Sequence, residues 1–154
     1  MSKIWKMKPH HFMDIMKLHG AGIDHFVPDE AYKHDFYLVG NDILNNRDMK
    51  LQTTIDEDRI CKPCIHIGKD GLCQDSIGRI ESITSKDAWN KIIDKRIIQY
   101  ADISLDKIYT ALDYCKLLYG IREHIKDIWK EEENQAIKTR YMNFCKGAEK
   151  YLNM

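Results

Sequence analysis

TSKDAWNKIIDKRIIQY, residues 84–100, reads as one amphipathic helix and sets the character of the chain. Thr84 or Ser85 supplies the N-cap hydroxyl. Trp89, Ile92, Ile93, Arg96, Ile97 and Tyr100 then fall on one side at helical spacing. Downstream the same period recurs. Ser104 is placed to cap a helix with Leu105, Ile108, Leu112, Cys115 and Tyr119 on its stripe, broken by Gly120. Ile121 to Trp129 reads as a further helix, and Asn134 to Leu152 as the last, with Ile137, Tyr141, Phe144, Cys145, Ala148 and Leu152 inward.

Upstream, Pro9 to Leu18 predicts a short helix with Phe12, Ile15, Met16 and His19 on one face and Gly20 as its cap. Gly20 to Pro28 reads as a loop. A second helix is expected from near Asp29 to Leu44, its stripe made by Tyr32, Phe36, Val39 and Ile43, ended by Asn45 and Asn46. Lys50 to Ile55 alternates Leu51, Thr53 and Ile55, the pattern of a short strand. The expected fold is mainly α: one helical domain over residues 1–154, with His-rich helices and a cysteine loop in 1–83 and a helical half in 84–154.

Composition narrows the function. The chain has 154 residues, enough for a sizeable core, and 24 basic against 24 acidic side chains give zero formal net charge. A nucleic-acid binder would carry a basic excess, so none is expected as a partner. No apolar run reaches the length of a membrane span, and Met1 to His11 lacks the apolar core of a secretory signal. The cytoplasm is the expected location. An odd count of five cysteines in a reducing compartment reads as free or metal-bound thiols.

Three of those cysteines lie together: Cys61-Lys62-Pro63-Cys64, then Cys73 after the Lys69-Asp70-Gly71 turn. Thiolates select soft or borderline metals, so this C-x2-C-x8-C segment points to iron–sulfur or zinc. The i, i+3 pair lets one turn offer two sulfurs, and Pro63 stiffens that turn. Ile67 and Leu72 flank the turn, and a small hairpin would bring Cys64 and Cys73 together. Structural zinc sites favour two short pairs, and Cys73 has no such partner. Three cysteines with one remote ligand fit an iron–sulfur cluster better, and a [4Fe-4S] cluster is the expected cofactor. Zinc, completed by His66 or His10, is the alternative.

The fourth ligand is open. Cys115 is the leading candidate for cofactor and metal binding with Cys61, Cys64 and Cys73. Cys115 and Cys145 both fall on apolar stripes, where the plain reading is a small core residue. Asp14, His10 and His11 are the alternatives, and His11 and Asp14 share a face at i, i+3. The histidines also cluster: five of seven fall within the first 34 residues. Pro9-His10-His11 is the pointed part, because a proline at a helix start fixes the direction of the side chains that follow. His10, His11 and Asp14 are therefore the candidate acid–base groups. His19, His25 and His124 read as exposed or capping.

His34-Asp35 resembles the paired His-Asp of helical metal-dependent phosphohydrolases of the HD type. With His10 or His11 upstream and Asp94 or Asp102 downstream a four-ligand site can be drawn, though the thiols would then need a separate explanation. No Gly-rich phosphate loop, nucleophile elbow or H-E-x-x-H motif occurs.

Pro9-His10-His11, Gly20-x-Gly22, Ile60-Cys61-x-x-Cys64 and Cys73-Gln74-Asp75-Ser76 together resemble a domain-of-unknown-function family of short bacterial and archaeal proteins thought to bind an iron–sulfur cluster. The resemblance covers roughly residues 8 to 77. In that family a cysteine follows the histidine pair, near the position held here by Asp14. The resemblance therefore implies that Asp14 is the fourth ligand or that Cys115 takes over. It implies a cluster and no particular reaction. Three functions follow as expectations: a redox or cluster-handling iron–sulfur protein, a non-redox cluster enzyme with an open iron, or a zinc-stapled helical interaction module. A redox partner or a small molecule is the expected partner.

Overall fold

Phe12, Met13, Ile15 and Met16 are all buried, so the helix beginning at Pro9 is driven into place by one wide apolar face. In the computed structural model, residues 4–27, 36–55 and 86–153 are described. Among them the fold is mainly α, with helices α1 (Pro9–Gly20), α2 (Phe36–Asn45), α3 (Lys86–Ala101), α4 (Ala111–Gly120), α5 (Ile125–Ile128) and α6 (Asn134–Leu152). Strands β1 (Ile4–Met7), β2 (Lys50–Thr53) and β3 (Ile108–Thr110) form one small sheet in the order β1-β2-β3. The expected hairpin around Cys64 and Cys73, the caps Thr84 and Ser85, and the start of the second helix lie outside the described residues.

β1 and β2 pair in parallel, Trp5 opposite Leu51 and Met7 opposite Thr53. Parallel neighbours need a long crossover, and α1 and α2 lie within it. β3 runs antiparallel to β2, Leu51 opposite Tyr109. Met7, Leu51, Thr53 and Tyr109 are buried while Ile4 and Ile108 are exposed, the alternation of a sheet with one covered face.

α1 crosses α6 backbone to backbone. A Cβ on Gly20 would overlap the Asn143 carbonyl, and one on Gly147 would overlap the Met16 carbonyl. Gly20 is thus the last residue of α1, chosen for close approach rather than as a cap; Ala21 is the C-cap. Elsewhere, polar side chains pin the apolar layers. Tyr114 and Thr53 hydroxyls lie 2.9 Å apart, joining α4 to the end of β2. Tyr151 donates to the Ile43 carbonyl at 2.7 Å, joining α6 to α2.

Two helical expectations change. The helix placed from Ser104 begins only at Ala111, capped by Thr110, whose hydroxyl accepts from the Asp113 amide at 3.1 Å. Ile108-Tyr109-Thr110 is a β-branched and aromatic triplet, and pairing with β2 claims it. Leu105 and Ile108 consequently stay exposed. The helix read from Ile121 to Trp129 is a 3-10 turn, Arg122–His124, followed by the single turn of α5. Ile121, Ile125, Ile128 and Trp129 are nevertheless buried.

Candidate functional site

The N-terminus of α1 is the most polar buried place among the described residues. Pro9 occupies the first turn and lacks a donor, and Lys8, at the N-cap, makes no side-chain cap. An orphan amide of that turn, His10 N–H, instead donates to Asp94 Oδ1 at 2.8 Å. Asp94 comes from the middle of α3 and is fully buried, at 0% exposure. It therefore acts as a cap supplied from another helix, a carboxylate at the positive end of α1.

The same carboxylate holds the His10 ring. Nδ1 lies 2.9 Å from Oδ1 and 2.9 Å from Oδ2. A carboxylate accepts, so the proton of this bond sits on Nδ1, and Nε2 is the ring's other nitrogen. His10 itself is 6% exposed. The His11 ring packs against it, centroids 4.3 Å apart at 50°. Lys8, beside the pair, is also buried.

Asp14 lies one turn further along α1. Arg140 of α6 donates to its Oδ1 at 2.9 Å, and Lys17 Nζ stands 3.5 Å from the same oxygen. Its side chain is 28% exposed. Burial alone would raise this carboxyl; Lys17 and Arg140, with His10 and His11 behind them, outweigh it and hold the pKa at about 2. The Arg140 guanidinium is itself fixed over the Trp129 ring, 4.2 Å from its centroid. Arg140 and Lys17 also line a cleft of about 510 Å³ between α1 and α6, with Glu132, Glu133, Thr139 and Asn143.

Cys115 sits elsewhere, wholly buried on α4. Burial pushes its thiol up to about 12. Cys145 is half-buried on α6, its thiol also raised, by burial first and against a hydrogen bond from Tyr141. Among the described residues no group of three or more His, Cys, Asp or Glu side chains is placed to hold a metal ion.

Sequence reading thus singled out His10, His11 and Asp14, and all three stand on the first turns of α1. Asp94, drawn only as one of two downstream carboxylates, proves to be the direct partner of His10; Asp102 lies just past the C-terminus of α3, with φ of 53°. Arg140 and Lys8 were missed. Arg140 is 126 residues from Asp14 in sequence, and no local pattern announces such a pair. Cys61, Cys64, Cys73, His66 and His34-Asp35 lie outside the described residues. Among the remaining histidines, His19 Nδ1–H reaches the Ile23 carbonyl at 3.1 Å and Asp24 at 3.0 Å, closing the end of α1. His25 is exposed, and His124 stacks on Tyr100 at 4.1 Å.

Compared with protein-family models, curated proteins and solved structures, the chain finds no match in any of the three. No helix among the described residues is long and apolar enough to cross a membrane.

Proposed function

We propose that this chain is a small iron–sulfur protein of the cytoplasm, in which Cys61, Cys64 and Cys73 hold a [4Fe-4S] cluster and a residue of the polar face of α1 completes it. The observation that carries the reading is where β2 leaves off. Thr54 N–H donates to the Met7 carbonyl at 3.0 Å, so the last described residues before the cysteine segment in sequence, Thr54 and Ile55, follow a strand end that lies beside the start of α1. His10, His11 and Asp14 are the ligand-type side chains of that helix end.

The donor chemistry supports α1 over α4. A cluster ligand is a thiolate, an imidazole nitrogen or a carboxylate. Asp14 stays ionised far below neutral pH, and the His10 ring is fixed. The Cys115 thiol is kept protonated by the apolar packing around it. When bound, the cluster supplies one-electron transfer or, with one iron position open, a Lewis acid.

The test is the iron and acid-labile sulfide content of anaerobically purified protein, with its visible spectrum. About four of each per chain and a broad brown absorbance are expected for a cubane. A colourless preparation without iron overturns the reading. Zinc without sulfide, with unfolding on chelation, would make this a zinc-stapled interaction module instead.

A second reading, a non-redox cluster enzyme, draws on the cleft between α1 and α6. Both cationic partners of Asp14 line it, so a small polar molecule bound there would lie against the same side chains. Perturbation of the cluster spectrum by such a molecule would favour this reading, with Lys17, Arg140 and Glu132 as the charged side chains lying against it.

A further inference from the structure

We infer that the cleft between α1 and α6 binds a free α-amino acid, its carboxylate on Lys17 and Arg140 and its ammonium on Glu132 and Glu133. This takes its cleft from the second reading above and names the class of molecule bound there. It needs no cluster, because every group it uses lies on α1, on α6 or on the residues leading into α6.

The charges of the cleft select for both signs at once. Its volume, about 510 Å³, falls within the range of small-molecule sites. Lys17 and Arg140 line it together with Glu132 and Glu133. A ligand of one sign therefore meets a like charge, whichever sign it carries. An α-amino acid holds a carboxylate and an ammonium on one carbon, and each finds its opposite on the lining.

The cations have donors to spare. A guanidinium offers five N–H groups. Arg140 Nη1 donates to Asp14 Oδ1 at 2.9 Å, while Nη2 stops 3.9 Å from Glu132 Oε1, beyond hydrogen-bond reach. The buried Nε–H has no acceptor among the described residues. Stacking 4.2 Å over the Trp129 ring holds the guanidinium plane in place, so little side-chain freedom is lost when an anion binds. Lys17 Nζ stands 3.5 Å from Asp14 Oδ1, longer than the about 2.7–2.9 Å of a closed charge-assisted bond. Its donors can turn to a ligand carboxylate. On the acidic side, Glu133 is exposed at the N-cap of α6, where its side chain makes no cap bond. Glu132 is held inward, its side chain 5% exposed.

Asp14, behind the two cations, adds a third carboxylate to the local balance. That surplus favours a basic ligand side chain over an acidic one. Arginine is expected to bind more tightly than alanine, and glutamate least.

The experiment is a 1H–15N NMR titration of full-length protein as purified, its iron content recorded. The probes are alanine, N-acetylalanine, which keeps only the carboxylate, and alaninamide, which keeps only the ammonium. Alanine is expected to shift the amides of Leu18, Ala21, Ala136 and Asn143 saturably. Each half-molecule should bind about tenfold more weakly or worse, since one set of charges goes unanswered. The two halves also stand for the ends of a peptide, so either one binding as tightly as alanine overturns the inference. Arg140→Lys keeps the charge and loses the planar fork, and should weaken alanine about tenfold. Glu133→Gln, at an exposed position, tests the ammonium side where the fold is not at stake. It should weaken alanine and leave N-acetylalanine unchanged or tighter; equal affinity of wild type and Glu133→Gln for alanine would remove the acidic half of the site.

Glutamate binding more tightly than arginine contradicts the charge account and overturns the assignment. Iron-loaded protein whose lining amides respond to no amino acid overturns this inference and leaves the cluster reading standing. Iron-free protein that binds alanine overturns the cluster reading and leaves this one.

Discussion

Arg140 Nη1 donates to Asp14 Oδ1 across 2.9 Å, binding α6 to α1 at the end that carries the histidine pair. Lys17 adds a second cation, and the two outweigh the burial that would otherwise raise the carboxyl. The folded pKa, about 2, lies below the ordinary 3.8. A depressed carboxyl contributes stability above its unfolded pKa and loses it as pH falls through the folded value. The contribution is therefore full above about pH 4 and disappears between about pH 4 and pH 2. Because Asp14 is partly exposed, solvent screening limits it to on the order of 1–2 kcal/mol. Acid unfolding of wild type and Asp14→Asn should converge at the low end of that window and diverge above it. Curves that stay parallel throughout would remove Asp14 from the account. Arg140→Gln should move the Asp14 carboxyl upward in a carbon-detected NMR titration.

The crossing of α1 and α6 predicts an asymmetry among glycines. Gly20 and Gly147 each face the backbone of the other helix, where no side chain can move aside. Gly20→Ala and Gly147→Ala should each cost about 1–3 kcal/mol or more, as the helices are forced apart. Gly120, at the end of α4, meets nothing within 4 Å. Gly120→Ala should be neutral or stabilise by a few tenths to about 1 kcal/mol, since alanine is the better helix former. Thermal melts of the three variants decide this. Equal shifts at all three positions would contradict the close crossing.

Much of this arrangement was legible from periodicity. The last helix runs from Asn134 to Leu152 as its stripe implies, with Phe144 and Ala148 buried. Phe12, Ile15 and Met16 were readable as the inner face of α1. What escaped is what periodicity cannot carry. β1 is four residues long with a lysine in its middle, and only pairing with β2 makes it a strand. Gly20 looked like a cap because a glycine at a helix end usually is one. Its actual constraint comes from Asn143, more than a hundred residues away. The site divides in the same manner. His10, His11 and Asp14 were visible as neighbours on one helix, whereas Asp94 and Arg140 are brought by α3 and α6.

Thr110 marks the junction where a strand gives way to a helix, and its role is local enough to test alone. Its hydroxyl accepts from Asp113 N–H at 3.1 Å while its backbone pairs opposite Lys50. Thr110→Ala should cost about 1 kcal/mol, the usual loss of an N-cap, and Thr110→Ser should recover most of it. Thr110→Val keeps the β-branched shape and removes the acceptor, so it separates the two contributions. A Val variant as stable as wild type would assign the residue to the sheet rather than to the cap.

Cys115 provides the sharpest chemical contrast with the α1 face. Its thiol is pushed up to about 12 by burial, so at pH 8 it stays protonated and a poor nucleophile. In the native apoprotein, site-resolved mass spectrometry after iodoacetamide treatment should find Cys115 unmodified, and modified only once denaturant unfolds the chain. Cys145, half-buried on α6, should label before it. Cys115→Ala removes one buried sulfur and should cost about 1–2 kcal/mol through the small cavity left in the core. Cys115→Ser should cost more, because a hydroxyl buried there needs a partner. Reconstituted Cys115→Ala should then bind as much iron and sulfide as wild type. Loss of the cluster in that variant, with the fold intact by circular dichroism, would return the fourth ligand to α4.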